Sequence, residues 1–328
     1  MKQKLLHLII PLTNILIVYA ILSNRTTPLA YLDNALNLME QNSVRKDQVN
    51  WDNIHTNAFK LAEGAEEIRD TYPAISDALR AIGDHHSFFL TPEQVKQMQT
   101  YTVGDFPTPK GNILEEKIGY IFMTGFASFN PDEIDKYANA LQQIIRTLDA
   151  QEPCGWIVDL RSNTGGNMWP MLAGIGPILG EGQVGAFIDA DGNQTYWYYQ
   201  NGQSLINDNS IVTILEPYEL ISPAPPVAVL TSSQTASSGE AIVVAFRHRP
   251  NTRSFGQATM GLSTANSGFP LEDGAIIILT VATYLDRDGE IYGLAIRPDE
   301  ITPTINSKDV PQAAIDWLLA QPTCGINP

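Results

Sequence analysis

The sequence predicts an α/β core of mixed sheet and helices preceded by an N-terminal helical segment, and three observations carry that reading. From Tyr31 to about Ile68 apolar residues recur at helical spacing, with Leu32, Ala35, Leu36 and Met39 on one face and Ala58, Leu61 and Ala62 on another. Between Ile118 and Leu160 the order is strand, helix, strand, and a crossover of that kind joins parallel strands. A glycine-rich turn, Arg161 to Asn167, then links a strand's carboxyl end to a helix start.

Taken in order, the chain opens with Lys2 and Lys4 before a mostly apolar run from Leu5 to Leu22, so residues 1–25 read as a signal peptide or signal anchor. His7, Pro11 and Asn14 interrupt that run, and Val18-Tyr19-Ala20 has the small-residue pattern of a cleavage site. The protein is therefore expected to be exported: secreted, periplasmic, or anchored facing away from the cytoplasm. Residues 26–100 form the helical segment, whose helix from Ile75 to Ile82 stops at Gly83 and leads into Asp84-His85-His86-Ser87. Residues 100–113, rich in Gly, Pro and Thr, read as a linker.

Residues 101–328 make up the core. Ile118 to Met123 is a strand. Pro131 opens a helix that keeps Ile134, Tyr137, Ala138, Leu141, Ile144, Ile145 and Leu148 on one face, and Trp156 to Leu160 is the next strand. The helix from Met168 to Leu179 follows the glycine turn. Residues 182–217 read as an inserted hairpin, with Val184 to Ile188 and Thr195 to Tyr199 flanking a polar turn. Val227 to Phe246 is a buried strand, a small-residue turn and a buried helix; a strand at Ala275 to Val281 and a closing helix at Val310 to Gln321 complete the core.

Composition narrows the function. A net charge of −16 repels nucleic-acid backbones and anionic membrane surfaces, so no nucleic-acid partner is expected, and a membrane only through the N-terminal anchor. Cys154 and Cys324 are the two cysteines, too few for a cysteine-built metal site and compatible with one bridge or two free thiols. Neither a His-Glu-x-x-His pair nor a phosphate or dinucleotide fingerprint occurs, so no cofactor or metal is expected.

The chemistry concentrates in the small-residue turn. Ser237 stands where the turn enters the helix, with backbone N–H groups pointing outward. Ser237-x-x-Glu240 before an apolar run equally fits a capping box. Four segments, Gly83 to Ser87, Val158 to Gly166, Thr235 to Glu240 with Gly256 to Gly261, and Ala295 to Asp299, stand in the order found in the S41 peptidases. The chain resembles that family, which includes the carboxyl-terminal processing proteases and the tricorn core, over roughly residues 30–310.

The resemblance implies a ClpP/crotonase-like core and a serine-type endopeptidase acting through an acyl-enzyme on peptide or unfolded-protein substrates. It makes Ser237 the nucleophile and gives an oxyanion hole from Ser238, Gly165 and Gly166. Processing proteases of the family use a lysine where this chain has Leu262, and no lysine lies between Lys136 and Lys308. The tricorn-like members use a histidine instead, which His86 matches, with His85 its neighbour. A histidine accepts a serine proton near neutrality without strong desolvation. For the third member, Tyr292 aligns with the family's glutamate; Glu290 lies two residues earlier and shares its face if the segment is a strand. Asp84 is a lesser candidate and Asp299 is structural.

The gap between Phe89 and Ile118 cannot hold the PDZ domain that processing proteases carry. The rival reading is a non-catalytic binding protein for apolar ligands, since the retinoid-binding proteins of the photoreceptor matrix share the fold.

Overall fold

The computed structural model describes residues 26–99, 108–115, 117–128, 130–303 and 310–325. The predicted signal segment lies outside the described residues. Among those residues no helix is long and apolar enough to cross a membrane.

The N-terminal segment holds α1 (Pro28–Asn42), α2 (Trp51–Leu61), α3 (Tyr72–Ile82), β1 (Phe88–Leu90) and α4 (Pro92–Gln99). Thr27 caps α1 by accepting from the Ala30 N–H, and Pro28 supplies a first-turn residue that needs no N–H partner. The predicted face, Leu32, Ala35, Leu36 and Met39, is buried. Gly83 ends α3 at φ 73°, a left-handed cap that turns the chain toward the histidines.

The core runs through β2 (Lys110–Leu114), β3 (Ile118–Phe122), α5 (Pro131–Asp149), β4 (Gly155–Asp159) and α6 (Met168–Leu179). Next come β5 (Gly182–Asp189), β6 (Gln194–Gln200), β7 (Gln203–Ile206), β8 (Asn209–Thr213), β9 (Val227–Thr231) and α7 (Ser238–Phe246). It ends with β10 (Thr252–Gly256), β11 (Thr264–Pro270), β12 (Ile276–Leu285), β13 (Glu300–Ile301) and α8 (Gln312–Leu319).

Two sheets result. The six-stranded one has the order β13-β10-β9-β4-β3-β2 and is parallel apart from its antiparallel edge strand β2. Its central strands β4 and β9 are buried at every residue, because α5, α6 and α7 cover one face and α8 the other. That explains their unbroken apolar sequence. The second sheet, with seven strands, is antiparallel in the order β1-β12-β5-β6-β7-β8, and β11 also pairs with β12.

Three expectations change. The end of the supposed linker is β2, paired with β3 from Lys110↔Phe122 to Leu114↔Ile118. The predicted hairpin is the first half of a four-stranded meander, β5 to β8, continuous with β12 rather than set apart from the core. And the segment after β12 is no strand: Gly289 N–H donates to Asp286 C=O, and Asp286 N–H to Glu290 C=O, which closes a turn. The two cysteines form a disulfide that ties the residue before β4 to the turn that follows α8, across 170 residues.

β12 is the organising strand for function. Its Ile277 and Leu279 complete the hydrophobic core of α1, α2 and α3, while Tyr284 belongs to the core of α6 and α7. A single strand thus docks the histidine-bearing segment onto the body that carries Ser237. Burial of each such Leu- or Ile-sized side chain stabilises that docking by roughly 1.5–3 kcal/mol.

Candidate active site

Ser237 occupies φ 51°, ψ −119°, a conformation that a side-chain-bearing residue adopts at a cost of order 1–3 kcal/mol. The strain is held in place by its surroundings. Ser237 N–H donates to Glu240 Oε2 at 2.9 Å, the reciprocal arm of the capping box. Its side chain faces the Glu240 N–H in the other arm of that capping box, and the buried Tyr284 hydroxyl lies beside it. Burial drives the Tyr284 phenol far above its ordinary range, so it stays protonated.

Glu240 is the hub of this elbow. Fully buried, it accepts from Thr259 Oγ1 at 2.5 Å, Gly261 N–H at 3.0 Å and Leu262 N–H at 2.8 Å as well as from Ser237. Burial raises its pKa, and the four hydrogen bonds oppose that rise. One carboxylate therefore fixes both the strained serine and the loop that leads into β11.

The glycine turn packs directly beneath the elbow. A Cβ on Gly165 would lie 2.8 Å from Ser237 Cβ and 3.1 Å from Ser238 N, at a φ of 101° that glycine alone adopts freely. A Cβ on Gly166, at φ 116°, would lie 2.1 Å from the Phe126 carbonyl oxygen. Ser238 Oγ donates to Gly166 C=O at 2.5 Å, and Asn163 C=O accepts from Ala236 N–H at 3.0 Å, which laces the two segments together. The three predicted oxyanion donors differ. Gly165 N–H is already committed to Asn163 Oδ1 at 3.0 Å. The N–H groups of Gly166 and Ser238 have no acceptor among the described residues. Gly165 thus supplies space, and the free donors are Gly166 and Ser238.

His86 enters from the loop after α3. Its Nδ1 lies 2.7 Å from Thr264 Oγ1, its N–H donates to Asp84 Oδ1 at 2.9 Å, and its C=O accepts from Asn266 Nδ2 at 3.0 Å. Burial lowers its pKa, partly offset by the charge of Asp84. Asp84 itself is spent on the backbone: it also accepts from Ser87 N–H at 2.7 Å and Ser87 Oγ at 2.6 Å. His85 is exposed, at φ 60°.

His86 and Ser237 each reach residues at one end of the β11–β12 pair, and among the described residues no hydrogen bond joins the two side chains. Thr264 pairs with Thr283, and the next residue, Tyr284, stands beside the Ser237 side chain. Thr264, which holds His86, stands two positions after Leu262, which Glu240 grips.

Glu290 is elsewhere. The turn at Asp286 to Glu290 replaces the strand that would have aligned it with Tyr292, and its side chain, 65% exposed, lies 3.8 Å from His248. Asp299 pairs with Arg247 at 2.8 Å and accepts from Ser254, a structural role. A groove of about 600 Å³ runs alongside, walled by Ala265 and Asn266 just past Thr264, by Trp169 just past the glycine turn, and by Phe187, Thr195 and Phe269.

The profile of peptidase family S41 matches residues 117–306. The nisin-resistance protein of Lactococcus lactis is 29% identical over 296 residues, 90% of this chain and 88% of that one. The carboxy-terminal processing protease CtpA of Bacillus subtilis is 28% identical over 185 residues, 56% of this chain and 34% of that protein, so this chain matches about a third of CtpA's length. Among solved structures, a lipoprotein from Streptococcus agalactiae superimposes with a TM-score of 0.75 at 28% identity, covering 90% of this chain and 96% of that one. The photosystem II D1 C-terminal processing protease shares the fold, with a TM-score of 0.62 at 16% identity over 87% of this chain and 95% of that one.

Proposed function

Because the chain belongs to peptidase family S41, we propose that it is a serine endopeptidase in which Ser237 attacks the scissile carbonyl and His86 is the general base. The observation that carries this reading is the strained Ser237 elbow, set over a glycine turn and flanked by two uncommitted backbone donors.

Each residue has a chemical task. His86, with its pKa lowered by burial, is neutral at physiological pH and free to accept the Ser237 proton through Nε2 while Nδ1 stays with Thr264. Carbonyl carbon and Oγ join, the carbonyl becomes an oxyanion, and the N–H groups of Gly166 and Ser238 at the start of α7 stabilise that charge. The imidazolium then returns its proton to the departing amine, leaving an acyl-serine that water hydrolyses by the same steps in reverse. Thr264 takes the place of an acid as the positioning residue. It fixes the ring orientation, while the negative charge that favours the imidazolium comes from Asp84 rather than from the group on Nδ1.

The adjacent groove suits an extended peptide, and a net charge of −16 favours cationic peptides over anionic ones. The relative named for nisin resistance makes nisin the first substrate to assay. The disulfide suits an oxidising compartment, in keeping with export. The test is mass spectrometry of nisin and of basic peptides after incubation with the full chain: cleavage by wild type and none by Ser237→Ala or His86→Ala supports the assignment, whereas undiminished cleavage by either variant refutes it.

A further inference from the structure

His248, two residues past α7, sits among three carboxylates at the turn that follows β12. Its Nε2 is 3.3 Å from Asp286 Oδ2 and 3.8 Å from Glu290 Oε2, and its Nδ1 is 3.0 Å from Asp288 Oδ2. One possible ligand atom from each of His248, Asp286 and Glu290 falls within 4.8 Å of the others. The proposed peptidase chemistry uses none of these residues.

The two ring nitrogens face different tasks. Asp288 Oδ2 stands 3.0 Å from Nδ1, and Nε2 on the far side of the ring faces the carboxylates of Asp286 and Glu290. Three carboxylates around one imidazole gather negative charge that a bound cation would offset. Imidazole with its far N–H held by a carboxylate is the arrangement found around histidines that bind metals. Of the nearby arginines, Arg287 lies close enough to feel the charge of Asp288, but their hydrogen bonds go elsewhere. Arg287 donates to Ala245 C=O at 3.0 Å and Arg247 pairs with Asp299 at 2.8 Å. Asp286 is held rigidly for such a role: its Oδ1 accepts from the N–H groups of Asp288 and Glu290 at 3.0 Å each, and its Oδ2 from the Tyr292 hydroxyl at 2.7 Å. The 3.3 Å between His248 Nε2 and Asp286 Oδ2 matches the roughly 3.3 Å spacing of ligands on a tetrahedral ion with bonds of ~2.0–2.1 Å.

We propose that His248, Asp286 and Glu290 bind a divalent transition metal of the zinc class, with a fourth position open to water and Asp288 as the partner that orients the imidazole. One nitrogen with two carboxylate oxygens suits that class better than calcium or magnesium, which prefer all-oxygen shells. The ion would clasp the carboxyl end of α7 to the turn after β12. The opposite end of α7 is capped by Ser237, and Tyr284 stands two residues before Asp286, so the clasp braces both elements that flank Ser237. The site is structural and stands apart from the peptidase assignment.

The test is isothermal titration of Zn²⁺ and, separately, Ca²⁺ into the chelator-treated full chain free of any histidine tag, with thermal unfolding followed in parallel. Zn²⁺ is expected to bind one per chain and to raise the unfolding temperature, and Ca²⁺ to do neither at the same concentration. His248→Ala and Glu290→Gln, both at exposed positions, should abolish the binding while unfolding like the metal-free wild type, and Asp288→Asn should weaken it roughly 10- to 100-fold. No stoichiometric binding by the wild type, or equal binding by His248→Ala, overturns the proposal. Peptidase failure with intact zinc binding would leave it standing.

Discussion

The Nδ1 atom of His86 lies 2.7 Å from the hydroxyl oxygen of Thr264, and that contact reaches across 178 residues to join the N-terminal segment to β11. It occupies the ring position that an orienting carboxylate would take in a Ser-His-acid arrangement. Thr264→Val removes the hydroxyl while keeping the shape, and should lower kcat by about 10-fold, the worth of one hydrogen bond of ~1–1.5 kcal/mol, with KM little changed. Thr264→Ser should recover most of the loss. A Thr264→Val enzyme with unaltered kcat would show that the ring is held by packing alone.

The pH profile follows from the burial of His86. Its pKa is lowered, so the acid limb of kcat/KM should fall below the ordinary histidine value of about 6.5. The stability sign is the same. With the folded pKa depressed, the unfolded chain binds the proton first, so stability is full above about pH 6.5 and declines as pH falls through the folded value. An acid limb above the ordinary value would contradict burial as the dominant influence.

The glycine turn allows a sharper substitution. Gly166→Ala places a methyl group 2.1 Å from the Phe126 carbonyl oxygen at φ 116°. It should cost at least ~1–3 kcal/mol in chemical unfolding and displace one of the two free donors. An alanine variant with wild-type stability and turnover would remove Gly166 from the oxyanion hole.

Replacing Cys154 and Cys324 together by serine should destabilise the chain by roughly 2–5 kcal/mol in reversible unfolding, because the bridge closes a long loop between the residue before β4 and the turn that follows α8. Equal stability with and without the bridge would mean that its closure is offset elsewhere.

Much of the framework was legible in the sequence because it is local. Strand, crossover helix and strand between Ile118 and Leu160, the turn at Gly165-Gly166 and the stop at Gly83 are each specified by residues near one another. The partners of the candidate active-site residues were not legible, because they come from pairing across the sheet. Thr264 meets His86 and Tyr284 meets Ser237 only once β11 lies in register on β12. One signal was available: Thr264 stands two places after Leu262, the residue in the lysine slot, where a hydroxyl invited attention. Glu290 failed for a local reason. Asp288-Gly289 is a turn signal, and a turn abolishes the alternation that would have kept Glu290 on the face of Tyr292. Glu240 was read as half of a cap, and its bonds to Thr259, Gly261 and Leu262 depend on where that loop folds back.

The central claim is that Ser237 is an activated nucleophile. It is tested most directly by exposing the folded full chain to a fluorophosphonate probe and locating the adduct by peptide mass spectrometry. Labelling is predicted at Ser237 in the wild type, far slower labelling in His86→Ala, and none in Ser237→Ala. Equal labelling of wild type and Ser237→Ala, or an unlabelled wild type that is demonstrably folded, would contradict it.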